Sequence, residues 1–445
     1  MRKPHGFGKH FAAGGEIHLM RTGRISNRAG VSFSLAVAGA MAGLIQMRLL
    51  GFQFGGTEMV TEARTLAEHG VFANPYAIAK TGLTAANPPL YPLFLALLIR
   101  LSPQYFVVLG VIGNIAANAV AAACLPQISR VFYDDDMPGV VAGVLWLAAM
   151  QLTPGWDTGD TVAGLSLFCL FTAWSIGRKG AAGLGALAGV AGGLLCLTNI
   201  SSAMVSLPWV ACLVARRSAD RQASKVARRQ AALFGCALFA AFLLVVAPWV
   251  LRNRQQLGAP VLRTGLGIAL YSSNNDCAES SLVDTWWTGC FQAHHPNTSL
   301  SEARLLGAMG EVAYDRLRME DAKRWAAANP ARFRRLTAER IRDFWFPTPD
   351  HPFPHQRAYT AYAVWLATVL GIAGLILMIR ERRPVVVFVL IVGLIYPLIY
   401  YVTVSDVRYR YPILWLSLLP AGYFICAIGI GAINAGWLRR RARGD

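Results

Sequence analysis

The chain is poor in charge, and poorest in acid. Of its 445 residues 24 are Asp or Glu against 42 Lys or Arg, a formal net charge of +18, and charged residues make up 15% of the whole where a soluble domain carries about 25%. That shortfall argues against a cytosolic globular enzyme. The polar bias of a disordered chain, the glycine period of a collagen and the cysteine density of a small disulfide scaffold are missing as well. What fills the space is apolar sequence, 55% of all residues, with a mean hydropathy of +0.42. It comes in runs of about 16–25 residues, the length that crosses a bilayer. The expected class is an all-α polytopic membrane protein. The basic excess then serves membrane topology, and no nucleic-acid partner is expected.

About ten spans are expected, at 31–47, 105–129, 138–153, 161–177, 181–198, 200–215, 231–251, 360–379, 384–402 and 411–434. Before the first lie Arg2, Lys3, Lys9, Arg21, Arg24 and Arg28. No small-residue cleavage site follows them, which reads as a retained span rather than a signal peptide. Further basic groups stand at 178–179, 216–229, 380–383 and 439–443. Placing all of them in the cytoplasm satisfies the positive-inside rule at every short loop. The plan that results is a cytoplasmic N-terminus over 1–30, a transmembrane core over 31–251 that includes an external loop at 52–104, an external loop domain over 252–359, transmembrane helices over 360–435 and a cytoplasmic tail over 436–445. Residues 90–99 are apolar but reach only about 15 Å as a helix, half of a hydrocarbon core of about 30 Å. Counting them as a span would invert every later loop. They are expected to lie in the outer interface, as is the amphipathic stretch 57–69.

Ionisable groups are nearly absent inside the spans, which disfavours a pump. Asn114 and Asn118 are the main mid-span polar residues, four apart on one helix face and suited to interhelical hydrogen bonds. The charges gather on the external loops instead. Glu58 and Glu62 share a face of a short helix, where a carboxylate can serve as general base. Asp157 and Asp160 precede a span, a position also explained by ordinary N-capping. Arg252 and Arg254 close one span and Arg408 and Arg410 open another. These break the positive-inside pattern and suit a phosphate at headgroup level, with Lys80 as a further ligand. Asp134–Asp136 resembles a metal-binding DxD but sits in a very short turn. The glycines of 183–192 fit helix packing better than phosphate binding. The pairs His294–His295 and His351/His355 lack partnering acids at ligand spacing, so no metal site is assigned. Six cysteines fall in spans. The other two, Cys277 and Cys290, share an external and therefore oxidising loop and are expected to form a disulfide. Residues 301 to about 346 read as helical, with Trp325, Phe333, Phe344 and Trp345 spaced to rest on the membrane surface.

The order of an external acid loop, PPLYPLFLALL, a second acid before a span, PWVLRNRQQLGAPVLRTGLGIALYSSNN, NPARF and RYRYP resembles the bacterial GT-C glycosyltransferases over about residues 50–425. The similarity is to enzymes like the protein O-mannosyltransferases and the aminoarabinose transferase of lipid A. It implies a GT-C fold in the plasma (inner) membrane. It also implies transfer of a sugar from a polyprenyl-phosphate donor to a glycan, lipid or protein acceptor at the extracytoplasmic face, by a single inverting displacement. Beyond that donor no cofactor is implied, although a divalent metal is compatible. Glu58, or Glu62 one turn on, stands where the family carries its first-loop Asp, and Met59 where a Tyr is expected. Asp160 matches the second acid, with Asp157 beside it, and Asn199 replaces a frequent Arg. Arg252, Arg254, Arg408, Arg410 and Lys80 would hold the donor phosphate. Pro89, Tyr91, Asn253, Asn274, Asn275, Tyr409 and Tyr411, the remaining motif residues, would line the substrate pocket. A lipid-linked-sugar flippase and a ligase or polymerase acting on diphosphate-linked glycans are the alternative readings; the flippase would need a polar path that the spans lack.

Overall fold

The computed structural model describes residues 28–50, 57–150, 152, 155–219, 224–349 and 358–443, with side chains described to 429. The basic N-terminal residues, the His351/His355 pair and the tail beyond 443 lie outside the described residues. Everything described is helix or connecting loop. The first half runs α1 (Arg28–Leu50), α2 (Thr57–His69), α3 (Leu90–Leu101), α4 (Phe106–Tyr133), α5 (Met137–Ala149), α6 (Thr158–Ser175), α7 (Ala181–Thr198), α8 (Ala203–Ala219) and α9 (Lys225–Leu257). Six shorter helices follow: α10 (Leu266–Ser273), α11 (Leu282–Trp287), α12 (Cys290–His294), α13 (Leu300–Met309), α14 (Glu311–Ala328) and α15 (Pro330–Trp345). The chain returns to the bundle with α16 (Ala358–Arg380), α17 (Val385–Ile395), α18 (Leu398–Val402) and α19 (Val407–Arg443).

A helix stands at each of the ten expected spans, but seven are long and apolar enough to cross a membrane: α1, α4, α7, α9, α16, the α17–α18 pair and α19. Length and composition among the described residues thus support seven of the ten, and the other three are shorter or more polar. α5 has 13 residues, about 20 Å at 1.5 Å each. α6 opens on a polar turn that contains Asp160, and α8 ends in Arg216 and Arg217.

Small residues let the helices touch. Gly185, Gly189 and Gly193 form a stripe at four-residue spacing on α7. A Cβ at either of the first two would collide with the carbonyl oxygens of Phe234 and Leu238 on α9. Gly371 and Gly374 of α16 meet the backbone of α19 at Ser417 and Pro420 in the same way. Around these contacts Phe132, Trp209, Phe388 and Trp415 knit four helices into an aromatic core.

Helix direction sorts the charges. At one end of the bundle Arg217 lies against Gly177, Arg383 donates to the Tyr423 hydroxyl at 2.9 Å and the Tyr133 and Tyr423 rings are 4.7 Å apart. The basic turns after α6, α8 and α16 are therefore gathered together, with the Asp134–Asp136 turn, whose Asp136 pairs with Arg130. The starts of α6 and α19 and the ends of α7 and α9 lie at the opposite end. There the segment 258–349 folds over the loop between α2 and α3, where Thr264 N–H donates to Ala85 O at 3.0 Å, and over the turn before α19, where Leu282 N–H donates to Ser405 O at 2.9 Å. Cys277 and Cys290 form a disulfide within that segment. The expectation that aromatics of 325–345 rest on the membrane is corrected in part. Phe344 is buried against Tyr400, the Trp345 indole donates to the Tyr401 hydroxyl at 2.7 Å, and the Trp325 indole to Asp276 at 2.7 Å.

Candidate active site

The acids of the first loop take opposite environments although they sit one turn apart. α2 packs Met59, Ala63 and Leu66 against Tyr91, Leu95 and Ala96 of α3, and Pro89 caps the start of α3. Glu62 is wholly buried. Its Oε2 accepts from Asn87 Nδ2 at 2.9 Å, while its Oε1 and the Asn87 Oδ1 have no partner. Burial pushes the Glu62 carboxyl up to about 8; the Asn87 hydrogen bond and the cations Arg252 and Arg263 pull the other way, and Glu311 adds to the rise. Glu58 keeps 19% of its side chain exposed and lies 3.8 Å from His295 Nε2.

Asp157 stands at the N-cap of α6, yet its side chain makes no capping bond, so ordinary capping does not explain it. Burial pushes its carboxyl up to about 7, opposed by Arg263 and by the Asn199 side chain that donates to it, and reinforced by Asp160. Asp160, in the first turn of α6, is half-buried. The buried Tyr91 ring sits within reach of both aspartates. Asn199 in turn accepts from Ser201 Oγ at 2.6 Å, and Ser201 Oγ is 3.5 Å from the Tyr400 hydroxyl.

The five expected phosphate ligands do not converge. The Arg252 guanidinium donates to Thr84 O at 2.7 Å, Asn253 Oδ1 at 2.9 Å and Phe72 O at 3.1 Å, and it stacks over Trp249 and Phe72. It is a clamp between α9 and the 72–87 loop. Arg254 is exposed on the other helix face, and Lys80 is exposed too. Neither makes a hydrogen bond or ion pair among the described residues. Arg410 is buried in the bundle over Trp345 at 4.0 Å, donating to Ser417 Oγ at 2.8 Å and Thr368 Oγ1 at 3.2 Å. Arg252 is within electrostatic range of the buried Glu62, and Arg408 is the one of the five that reaches Glu58. It lies 3.9 Å over Trp156, donates to the Tyr409 hydroxyl at 3.2 Å and is within electrostatic range of Glu58.

Other pocket candidates turn out to hold the backbone. Asn253 Nδ2 donates to Val261 O at 2.8 Å. Asn274 is tied to Leu270 O, Val402 O and the buried Arg340, Asn275 to Tyr271 O and Cys277 N, and Tyr411 to Ala149 O. Tyr409 stays at the cleft, stacked on Tyr400 at 4.6 Å.

Two charged residues were missed. Arg263 is exposed, anchored only by its Nε donating to Ala86 O at 2.6 Å, and it acts on Glu62, Asp157 and Tyr400 alike. It sits inside the quoted PVLRTGLG run, a basic residue on an external loop like those that were singled out. Glu311 is buried at the start of α14 and accepts from Ala85 N at 2.8 Å and from the hydroxyls of Thr84 and Thr264. No local signal marked it. The result is a set of charges at one end of the bundle, which we take as the candidate cleft: Asp157 lies beside Asp160 and within electrostatic range of Arg263, Glu58 lies within range of Arg408, and the rings of Tyr91, Trp156, Tyr400 and Tyr409 adjoin them.

No protein-family model matches the sequence, and no curated protein matches it. Solved structures share its fold. The Archaeoglobus fulgidus oligosaccharyltransferase in its apo form aligns with a TM-score of 0.53 at 13% identity, over 92% of this chain and 52% of the other. The archaeal oligosaccharyltransferase AglB from the same organism, in complex with an inhibitory peptide and a dolichol-phosphate, gives 0.52 at 13% over 94% and 52%. The complex with Zn and sulfate gives 0.52 at 12% over 88% and 49%. The chain spans about half the length of these structures, and what it shares with them is the GT-C fold.

Proposed function

We propose that the chain is an integral-membrane glycosyltransferase that moves a sugar from a polyprenyl-phosphate donor to an acceptor hydroxyl, in the cleft at the end of the bundle away from the basic turns. Within the GT-C fold its motifs favour the O-mannosyltransferase and aminoarabinose-transferase type. The observation that carries the reading is the meeting of Glu58, Asp157 and Asp160 with Arg263 and Arg408 at that one end. By the positive-inside rule that end is extracytoplasmic, where nucleotide sugars are not supplied and a lipid brings its phosphate to the headgroup plane.

The chemistry follows from which carboxylate is free. Glu62, whose proton is held by burial, stays neutral near pH 7 and serves structure. Glu58 accepts the proton of the acceptor hydroxyl as that oxygen bonds to the anomeric carbon. The bond from that carbon to the phosphate oxygen breaks with its electron pair leaving on phosphate, and the configuration inverts. Arg408 and Arg263 hold the charge that grows there. Asp160 orients the acceptor. A neighbouring structure contains zinc, but among the described residues the three carboxylates do not form a group whose ligand atoms all lie close to one another. The one group of three such ligand atoms among the described residues is Cys277, Cys290 and His294, whose sulfurs are bonded together. The acids do not fit a tightly held ion, and no step is routed through one.

The test is mass spectrometry of cell-envelope glycans and glycolipids from cells with the chain, without it, and with Glu58→Gln. Loss of one glycan form in both altered strains supports the reading, since removing a general base costs about 10²–10⁴ in rate. Envelope glycans unchanged without the chain overturn it. Label transfer from mono- but not diphosphate polyprenyl sugars in detergent separates transfer from flipping and from diphosphate ligation.

A further inference from the structure

Glu58 has a partner that no motif announces. His295 follows α12, five residues past the disulfide at Cys290. Its ring stacks on Phe291 with centroids 4.4 Å apart and meets Tyr76 edge-on at 5.8 Å. The Asn297 backbone N–H donates to His295 Nδ1 at 3.1 Å. That bond requires a lone pair on Nδ1, so the ring hydrogen resides on Nε2. Nε2 faces Glu58 Oε1 at 3.8 Å, with the two side chains 13% and 19% exposed. Burial lowers the affinity of this imidazole for a second proton, and the nearby Glu58 carboxylate only partly offsets it. A neutral ring in this tautomer offers Glu58 a donor and no acceptor. It cannot take the proton that Glu58 gains.

We propose that His295 is the positioning residue of the Glu58 base, its Nε2–H donating to one carboxylate oxygen so that the other is left for the acceptor hydroxyl. This rests on the reading of Glu58 as base. Hydrogen bonds of this kind are often long before substrate binds and tighten in the complex. The geometry also places beside the base a residue that follows directly on α12, the helix that starts at the disulfide Cys290. The other groups facing the pair are the Arg408 guanidinium from α19 and the phenol of Tyr76. His294 turns the other way, toward Tyr271 at 5.3 Å and the Cys277 sulfur at 3.8 Å.

The test needs no substrate. A water-soluble carbodiimide with an amine nucleophile modifies protonated carboxyls. Labelling of Glu58 against pH, read by peptide mass spectrometry on the full chain in detergent, therefore gives its titration midpoint. Wild type and His295→Gln, whose amide N–H reaches to where Nε2 stands, are expected to share one midpoint. In His295→Ala the midpoint moves up by at least about half a pH unit, because a donor to the ionised form is gone. A midpoint unmoved in His295→Ala, with the Cys277–Cys290 bond intact in the same digest, overturns the proposal. So does a His295→Gln midpoint displaced as far as that of His295→Ala. Failure of the underlying reading shows elsewhere, as Glu58→Gln cells with unaltered envelope glycans.

Discussion

The C-terminal end of α9 and the N-terminal end of α19 carry the same pattern, Arg-x-Arg, at the same end of the bundle, and the structure uses the four guanidiniums in four ways. Arg252 clamps a loop, Arg254 points into solvent, Arg408 faces the acids and Arg410 is buried among Trp345, Thr368 and Ser417. The reason is helical geometry. Residues two apart are rotated by about 200°, so neither pair can close on one phosphate together. Each helix end delivers a single arginine to each side. At α9 that arginine meets the backbone carbonyls of Phe72 and Thr84, which take its donors. At α19 the guanidinium meets Trp156, Asp406 at 3.9 Å and the Tyr409 hydroxyl at 3.2 Å, side-chain partners rather than backbone carbonyls, and lies within range of Glu58.

The sharpest way to break this comparison is to remove Arg408. Arg408→Ala is expected to cut glycosyl transfer by about 10²–10³-fold, the usual loss when one donor to a developing charge is deleted, measured by label transfer in detergent. Arg408→Lys recovers only part of it, because an ammonium lacks the planar fork. Arg254→Ala, on the opposite helix face of the matching motif, stays within about twofold in the same assay. A large loss in Arg254→Ala would mean the two motifs act alike after all.

Next in size is the clamp. Arg252→Ala leaves Thr84 O, Phe72 O and Asn253 Oδ1 without their charged donor, and such bonds are worth about 1.5–3 kcal/mol. The expected outcome is a thermal unfolding midpoint several degrees lower in detergent, with new proteolytic cleavage within 72–87. Arg252→Lys does not restore it. An unchanged midpoint together with a large loss of transfer would assign Arg252 to phosphate and erase its difference from Arg408.

Much of this architecture can be read without coordinates, for a physical reason: hydropathy, glycine content and basic clusters are local, and they locate the ten helical stretches and mark α7 as a closely packed helix, although not its partner α9. Seven of these stretches meet the length and apolarity of a span; α5 is short and α6 and α8 are polar at one end, features that run-counting overlooks. The acids of the cleft could be nominated from the sequence, but their burial could not. Glu62 and Glu58 share a helix face, but the fold buries Glu62 against Asn87 of the following loop and leaves Glu58 partly exposed. Glu311 finds Ala85 across 226 positions, a closure that no periodicity reports. Arg263 lies on a loop with neither period nor cap. Asn274 and Asn275 carry a motif, and the polar atoms that made them pocket candidates are bonded to backbone and to Arg340 instead.

The smallest effect tests whether Glu62 belongs with the clamp or with the cleft. Its carboxyl is raised from an ordinary 4.5 to about 8, chiefly by burial. Between those two values the unfolded chain gives up a proton that the folded chain retains, so this group's stabilising contribution is complete at low pH and is lost as pH rises toward 8. Glu62→Gln replaces the neutral acid by an amide of the same shape that cannot ionise, still accepting from Asn87 Nδ2 and now able to donate to the orphaned Asn87 Oδ1. Its unfolding midpoint is therefore expected to exceed that of wild type by a few degrees at about pH 8, with the gap closing toward about pH 5. Parallel midpoints across that range would mean that Glu62 is ionised in the folded protein. The assignment of the base to Glu58 alone would then lose its physical ground, because a charged Glu62 would be as fit for the task.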